Sequence, residues 1–345
     1  MKKINFLIIF SILLISCSVS VNNSNGKKLL PPPKGAYIGA FPDLGSTEDS
    51  VTIERLNNYK ELTGHIPVWV YFSNNWYNGI KFPAKEVQII NSFGSIPFIR
   101  LMPRSDFTIK KQDPAFSLKN IIDGKFDKEL VAYAIDSKKS NIPIMIEFGT
   151  EMNGDWFPWS GLYNRKDPAN YKKAYIHIIN IFRKADADNI TWVFHTNWES
   201  SPNVKWNKMS AYYPGDEYID WIGISIYGGQ KPGDEWSNFK ENLNEAYSEM
   251  TEVSDEKPFA IFEFGTIDDT AKGDKAKWIK NVFNKIKSEK YPRIKALSYW
   301  HSFWVNEDGS VSNMRLDSSP EALNAYKEAI SNSYFTPKVI MGLSK

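Results

Sequence analysis

The sequence holds one cysteine, Cys17, and four histidines, at 65, 177, 195 and 301. No two of these histidines stand at zinc-binding spacing, so a metal hydrolase lacks its ligand set. No G-x-S-x-G elbow supplies a serine nucleophile. Neither G-x-G-x-x-G nor G-x-x-x-x-G-K follows the first strand-like run, which leaves a dinucleotide or nucleoside phosphate without a loop to bind it. Charge of one sign is scarce: 42 Lys and Arg stand against 40 Asp and Glu, with no basic block interleaved with aromatics. Nucleic acid is therefore excluded as a partner. Nothing implies a metal or a cofactor.

The 345 residues are 42% hydrophobic and 24% charged, as in an ordinary soluble globular chain. Lys2 and Lys3 precede the apolar run Ile4 to Ile15, which is too short to cross a bilayer and has the order of a secretory signal. Leu14-Ile15-Ser16-Cys17 resembles the lipobox of bacterial lipoproteins, whose cysteine carries the acyl chains. Residues 1–17 are expected to be a leader, with the protein exported, lipid-anchored at Cys17, and facing the periplasm or the cell exterior. Removal of Lys2 and Lys3 leaves acids and bases equal in number, so lipid and not charge would hold the chain to a membrane. Residues 18–34, polar and then rich in proline at 31–33, are expected to form a tether ahead of a folded domain over 35–345. A monomer is expected.

From Gly35 onward short apolar runs alternate with segments of helical periodicity. Strand-like runs fall at 36–41, 66–72, 96–102, 142–148, 190–194, 219–226, 259–264 and 294–300, with helices predicted at 47–62, 83–92, 127–140, 168–186, 238–253, 273–288 and 320–331. Asp167-Pro168 and Ser319-Pro320 each set a capping side chain before a proline suited to a first helical turn. Pro202 and Pro214 interrupt the segment after the fifth run. The pattern predicts an α/β chain, a (β/α)8 TIM barrel with the fifth helix reduced.

Two of the runs end on a glutamate. Ile144-Met145-Ile146-Glu147-Phe148-Gly149-Thr150-Glu151 leads into Asn, Gly, Asp and two tryptophans, and Phe259-Ala260-Ile261-Phe262-Glu263-Phe264-Gly265 repeats the design. Barrel chemistry sits at the C-terminal ends of strands. Side chains alternate along a strand, so Glu151 is expected to share a face with Gly149 and Glu147, and Glu263 with Ile261 and Phe259. Two carboxyls converging at a barrel mouth suit glycosidic-bond hydrolysis, in which one acid protonates the leaving oxygen and one carboxylate attacks or activates water. Trp156 and Trp300 are the candidate sugar platforms, and Asn153 a candidate for orienting a hydroxyl or Glu151. Trp192 and Trp221 read as core, while Trp69, Trp76, Trp159, Trp198 and Trp304 are divided between core and ligand.

Glu-Met-Asn-Gly-Asp-Trp-Phe-Pro-Trp at 151–159 resembles the signature of glycoside hydrolase family 26, best known for endo-β-1,4-mannanases. The likeness continues through 188–193, through 213–223, at Glu263-Phe264-Gly265 and over 315–322. The resemblance implies a retaining double displacement on a polysaccharide, most simply β-1,4-mannan, with Glu151 as acid/base and Glu263 as nucleophile. Retention implies carboxyls roughly 5–5.5 Å apart. The roles would require a raised pKa at Glu151 and a stabilised anion at Glu263. Tyr227 matches the tyrosine that lies beside the nucleophile in this family.

Three positions depart from the family. Its members usually carry Arg, His and Asp where this chain has Glu147, Thr150 and Ser225. These normally bind or position the sugar, which keeps a β-1,3-xylanase, a mixed-linkage β-glucanase and a non-catalytic glycan-binding lipoprotein open as alternatives. A carboxylate inside a barrel needs a partner. Arg100 on the preceding strand is predicted to pair with Glu147, a residue expected to lie too far from Glu151 to share its chemistry.

Overall fold

Each apolar run of the sequence becomes a strand whose residues are almost all buried, because helices cover the outside and side chains fill the inside. The computed structural model describes residues 27–343, apart from Ser237 and Glu289. After a short first strand, β1 (Lys28–Leu30), the barrel strands are β2 (Tyr37–Pro42), β3 (Trp69–Asn75), β4 (Ile96–Met102), β5 (Ile144–Phe148), β6 (Ile190–Asn197), β7 (Trp221–Tyr227), β8 (Phe259–Gly265) and β9 (Ile294–His301). They pair in that order, all parallel, and β9 closes on β2. The helices are α1 (Ile53–Thr63), α2 (Ala84–Phe93), α3 (Leu118–Ile122), α4 (Asp127–Ser140), α5 (Pro168–Lys184), α6 (Met209–Tyr212), α7 (Phe239–Val253), α8 (Lys275–Ile286) and α9 (Pro320–Ile330). This is the predicted (β/α)8 barrel, and its fifth helix, α6, is one turn long.

The two predicted caps form. The Asp167 side chain accepts from the Ala169 N–H ahead of α5, and that of Ser319 from Ala322 ahead of α9, each satisfying an amide the helix leaves open. Helix α1 begins at Ile53, later than predicted, because Asp43 and Glu48 both take left-handed backbone (φ 54° and 61°) and turn residues 43–50 over the barrel mouth. Trp69, Phe98 and Phe262 fill the interior with tilted and edge-on contacts 5.4–6.2 Å between centroids. Gly223 makes room for them: a Cβ there would lie 2.5 Å from the Phe262 ring.

The expected tether does not reach residue 34. Strand β1 pairs antiparallel with β12 (Ile340–Gly342), so 28–30 belong to the folded unit. Leu29 is 1% exposed; its N–H donates to Thr191 Oγ1 (2.9 Å) and its carbonyl accepts from Trp221 Nε1 (2.8 Å), while Lys28 pairs with Asp220 at 2.9 Å. Thr191, Asp220 and Trp221 stand at the entering ends of β6 and β7, so β1 lies at the pole opposite the strands' C-terminal ends. A buried leucine with both backbone groups paired outweighs the polar composition around it. The leader, Cys17 and residues 18–26 of the expected tether lie outside the described residues. A hairpin of β10 (Phe303–Val305) and β11 (Val311–Asn313), not foreseen, extends the loop after β9.

Candidate active site

Strand β5 stops at Phe148, and the next residues turn instead of continuing the pleat. Gly149 and Glu151 both have left-handed backbone (φ 52° and 53°). For a glutamate this costs of order 1–3 kcal/mol, a strain found where surrounding contacts dictate the conformation. Here the Glu151 N–H donates to His195 O and its carbonyl accepts from the Gly154 N–H, both at 2.9 Å. Glu151 is therefore set by a turn and not by alternation with Gly149 and Glu147. Trp156 Nε1 donates to Glu151 Oε2 at 2.7 Å, and the indole lies so close over Gly154 that a Cβ there would come within 2.5 Å of it.

Glu263 is also displaced from simple alternation. Ile224 of β7 pairs with Ile261, but the next residue, Ser225, pairs with Glu263, so Phe262 is an extra residue in the ladder. Phe262 points into the barrel against Trp69, Phe98 and His195, and Glu263 points into the cavity beside it. The face it was expected to share with Ile261 and Phe259 is broken by that bulge. Tyr227 OH donates to Glu263 Oε2 at 2.6 Å.

Arg100 pairs with Glu147 as predicted, Nε to Oε1 at 3.4 Å, but its guanidinium is divided among three carboxylates. It also meets Glu263 Oε1 at 3.4 Å and Glu48 Oε2 at 2.9 Å. Burial pushes the Glu263 carboxyl up to about 7; Arg100 works against this, Glu151's charge adds to it, and His195 and the Tyr227 hydrogen bond oppose it. This corrects the expectation that Glu263 would be the stabilised anion. One cation shared three ways does not offset desolvation in full.

The two carboxyls open on one cavity of about 1070 Å³. Trp156, Trp198, Trp300 and Trp304 line it, while Trp69, Trp76, Trp159, Trp192 and Trp221 are buried in the core. Trp300 offers little open ring: Phe41 stacks on it at 3.9 Å, Arg100 lies over it at 5.2 Å, and it is 6% exposed. Asn153 is not a substrate contact. It is fully buried, donating to Asn197 O (3.0 Å) and Ser200 Oγ (3.2 Å) and accepting from the Asn197 N–H (2.9 Å), so it ties the loop after β5 to the loop after β6.

The family model for glycosyl hydrolase family 26 matches residues 108–309, more than half of the chain. The chain belongs to that family. It is 29% identical to Endoglucanase H of Acetivibrio thermocellus over 96% of its own length, and spans 34% of that protein. It is 30% identical to a mannan endo-1,4-beta-mannosidase of Bacillus subtilis, covering 76% of this chain and 73% of the relative. The solved catalytic domain of a Bacillus sp. JAMB-750 endo-beta-1,4-mannanase superposes with a TM-score of 0.65 at 18% identity, over 88% of this chain and 87% of that one.

In this family 26 barrel, the three departures meet at one side chain that sequence reasoning passed over. His195 Nδ1 lies 2.8 Å from Glu147 Oε2 and 2.9 Å from Thr150 Oγ1, and Nε2 lies 2.8 Å from Ser225 Oγ. Tyr71 OH reaches Nδ1 at 3.1 Å and also donates to Glu147. All five residues are buried. Burial opposes charge on His195, but Glu147's charge and hydrogen bond prevail and raise its pKa. Through Arg100, Glu147 is thus joined to Glu263, closer to the glutamate pair in effect than its distance from Glu151 implied. Glu48 gave no signal in sequence, since only the left-handed turn at that residue brings it to Arg100.

Proposed function

We propose that this chain is an exported, retaining endo-glycosidase that cleaves β-linked polysaccharide. The observation that carries the reading is the pair of glutamates on one cavity, each held by its own donor, Trp156 for Glu151 and Tyr227 for Glu263. Glu263 attacks the anomeric carbon while Glu151 gives its proton to the departing glycosidic oxygen. The C–O bond breaks, a glycosyl ester forms on Glu263, and the shortened chain leaves as an alcohol. Glu151, now a carboxylate, takes a proton from water as that water attacks the same carbon and frees Glu263. Two inversions return the original anomer. The test is reducing-sugar release from mannan, xylan and mixed-linkage β-glucan, with Glu263→Ala as control. Equal signals from parent and variant on every polymer would leave only the glycan-binding role.

β-1,4-mannan is the first polymer to try, since four relatives carry the name mannan endo-1,4-beta-mannosidase. A second reading, a β-glucan, is favoured by the His195 cluster. The positions that the family resemblance assigns to sugar binding, 147, 150 and 225, here bond to one another through a buried imidazole, so their hydrogen-bonding capacity is spent inside the protein. The relative aligned over 96% of the chain bears the name Endoglucanase H. Higher kcat/KM on mixed-linkage glucan than on mannan selects this reading.

Anchoring through Cys17 belongs to the same proposal. Strand β1 lies at the pole opposite the catalytic cavity, so a lipid joined ahead of it would leave the cavity facing away from the membrane. Cys17→Ser should move the protein from the membrane fraction to the soluble one; an unchanged distribution would end that part of the reading.

A further inference from the structure

At the rim of the cavity two phenylalanines stay outside the core. Phe107, on the loop after β4, is 36% exposed, and Phe303, on β10, is 39% exposed; both line the cavity. Each ring is covered by a guanidinium. Arg104 lies 4.1 Å from the centroid of Phe107 and Arg315 lies 4.6 Å from that of Phe303. Neither cation is loose. Arg104 is buried and donates twice to Asn75 Oδ1, at 2.9 and 2.7 Å. Arg315 meets Asp43 Oδ2 at 2.8 Å through Nε and at 2.6 Å through a terminal nitrogen. Lys110 and Glu307, at 2.8 Å, join the Phe107 loop to the hairpin carrying Phe303.

We infer that Phe107 and Phe303 form a sugar-binding subsite at a distance from the scissile bond, taking an unbranched run of β-linked pyranosides. This rests on the glycosidase reading of the cavity. A pyranose has a face of axial C–H groups, slightly positive, that suits the electron-rich face of an aromatic ring. A guanidinium held on an aromatic ring fixes its orientation. Because Asn75 and Asp43 hold the guanidiniums, the rings are set before any sugar arrives, and little side-chain freedom is lost on binding. The Lys110–Glu307 pair is 63% and 88% exposed and contributes little stability by itself, yet it joins the two loops that carry the rings. Both loops rise from the arc of strands β9, β2, β3 and β4, whereas Asn197 at the end of β6 and Trp198, Gly228 and Gln230 in the loops after β6 and β7 line the cavity from another side. The subsite therefore occupies one end of a cleft whose middle is the glutamate pair.

The experiment compares Phe107→Ala, Phe303→Ala and Phe303→Trp with the parent on two probes of the hydrolysed polymer class: a β-linked hexasaccharide and a 4-nitrophenyl β-disaccharide spanning only the bond cleaved. Each alanine variant should raise KM for the hexasaccharide roughly three- to tenfold, with kcat within about twofold, the cost of one lost aromatic contact. Kinetics on the short probe and the melting temperature should not change, and Phe303→Trp should retain the parent's KM. Unchanged KM on the hexasaccharide overturns the inference, and so does an equal loss on both probes. A parent that hydrolyses none of the polymers overturns the glycosidase reading first, and this inference with it.

Discussion

Replacing Glu263 with glutamine should stabilise the folded protein, and by more at pH 8 than at pH 4.5. Its carboxyl is 5% exposed, and burial together with Glu151's charge moves its pKa from 4.5 to about 7. Between those two pH values the folded protein keeps a proton that the unfolded chain gives up. Stability falls as pH rises through this window, and above pH 7 the whole penalty is present. At about 1.4 kcal/mol per pH unit the shift is worth about 3 kcal/mol. Glutamine is neutral throughout, still accepts from Tyr227 OH, and leaves Arg100 with Glu48 and Glu147, so no new unpaired charge arises. His195, whose pKa is raised, also loses stabilising charge as pH rises, but it does so in both proteins and largely cancels in the difference. Urea unfolding of parent and Glu263→Gln at pH 4.5, 6 and 8 reads the effect directly. The gap between the two should widen by about 3 kcal/mol across the series. A constant gap would refute the claim that desolvation governs this carboxyl.

Because the proposed attack requires ionised Glu263, kcat/KM should climb with an acid limb centred near pH 7 in the free enzyme; a limb near pH 4.5 would contradict the raised pKa. Glu48→Gln leaves Arg100 divided between two carboxylates instead of three, so the same limb should move to lower pH; a limb that stays or moves upward removes Glu48 from the network. Trp156→Phe keeps an aromatic ring but loses the bond to Glu151, and kcat should fall by about tenfold, the value of one hydrogen bond that holds the proposed acid/base carboxyl in place, in steady-state assays on the preferred polymer. Leu29→Ala should cost about 2–5 kcal/mol in urea unfolding, where a free tether would cost nothing.

The barrel was legible because its signal is periodic and repeated: eight buried runs and the proline-led starts of α5 and α9 survive small errors in boundaries. Alternation within a strand was legible only up to the points where the ladder breaks. The left-handed turn at Gly149 and Glu151 and the extra residue at Phe262 both lie next to the proposed catalytic glutamates. The Arg100–Glu147 pair was readable since both sit in parallel runs at matched depth, and their register pairs them directly. What Arg100 does besides was not readable, because Glu48 and Glu263 reach it from a loop and from across the barrel. Asn153 and Trp300 show the same limit: residue type marks a side chain suited to sugar, but only packing tells whether its donors and ring faces are already taken. Strand β1 was hidden by its composition, since three residues cannot display a period and its partner lies more than 300 positions later.

The stereochemistry of hydrolysis tests the proposed roles of Glu151 and Glu263 most directly. Proton NMR of the anomeric region, recorded in the first minutes after enzyme is added to the preferred oligosaccharide, should show the β-anomer of the new reducing end first, with the α-anomer growing in only by mutarotation. Appearance of the α-anomer first would mean that water attacks directly, and Glu263 would lose its proposed role as nucleophile.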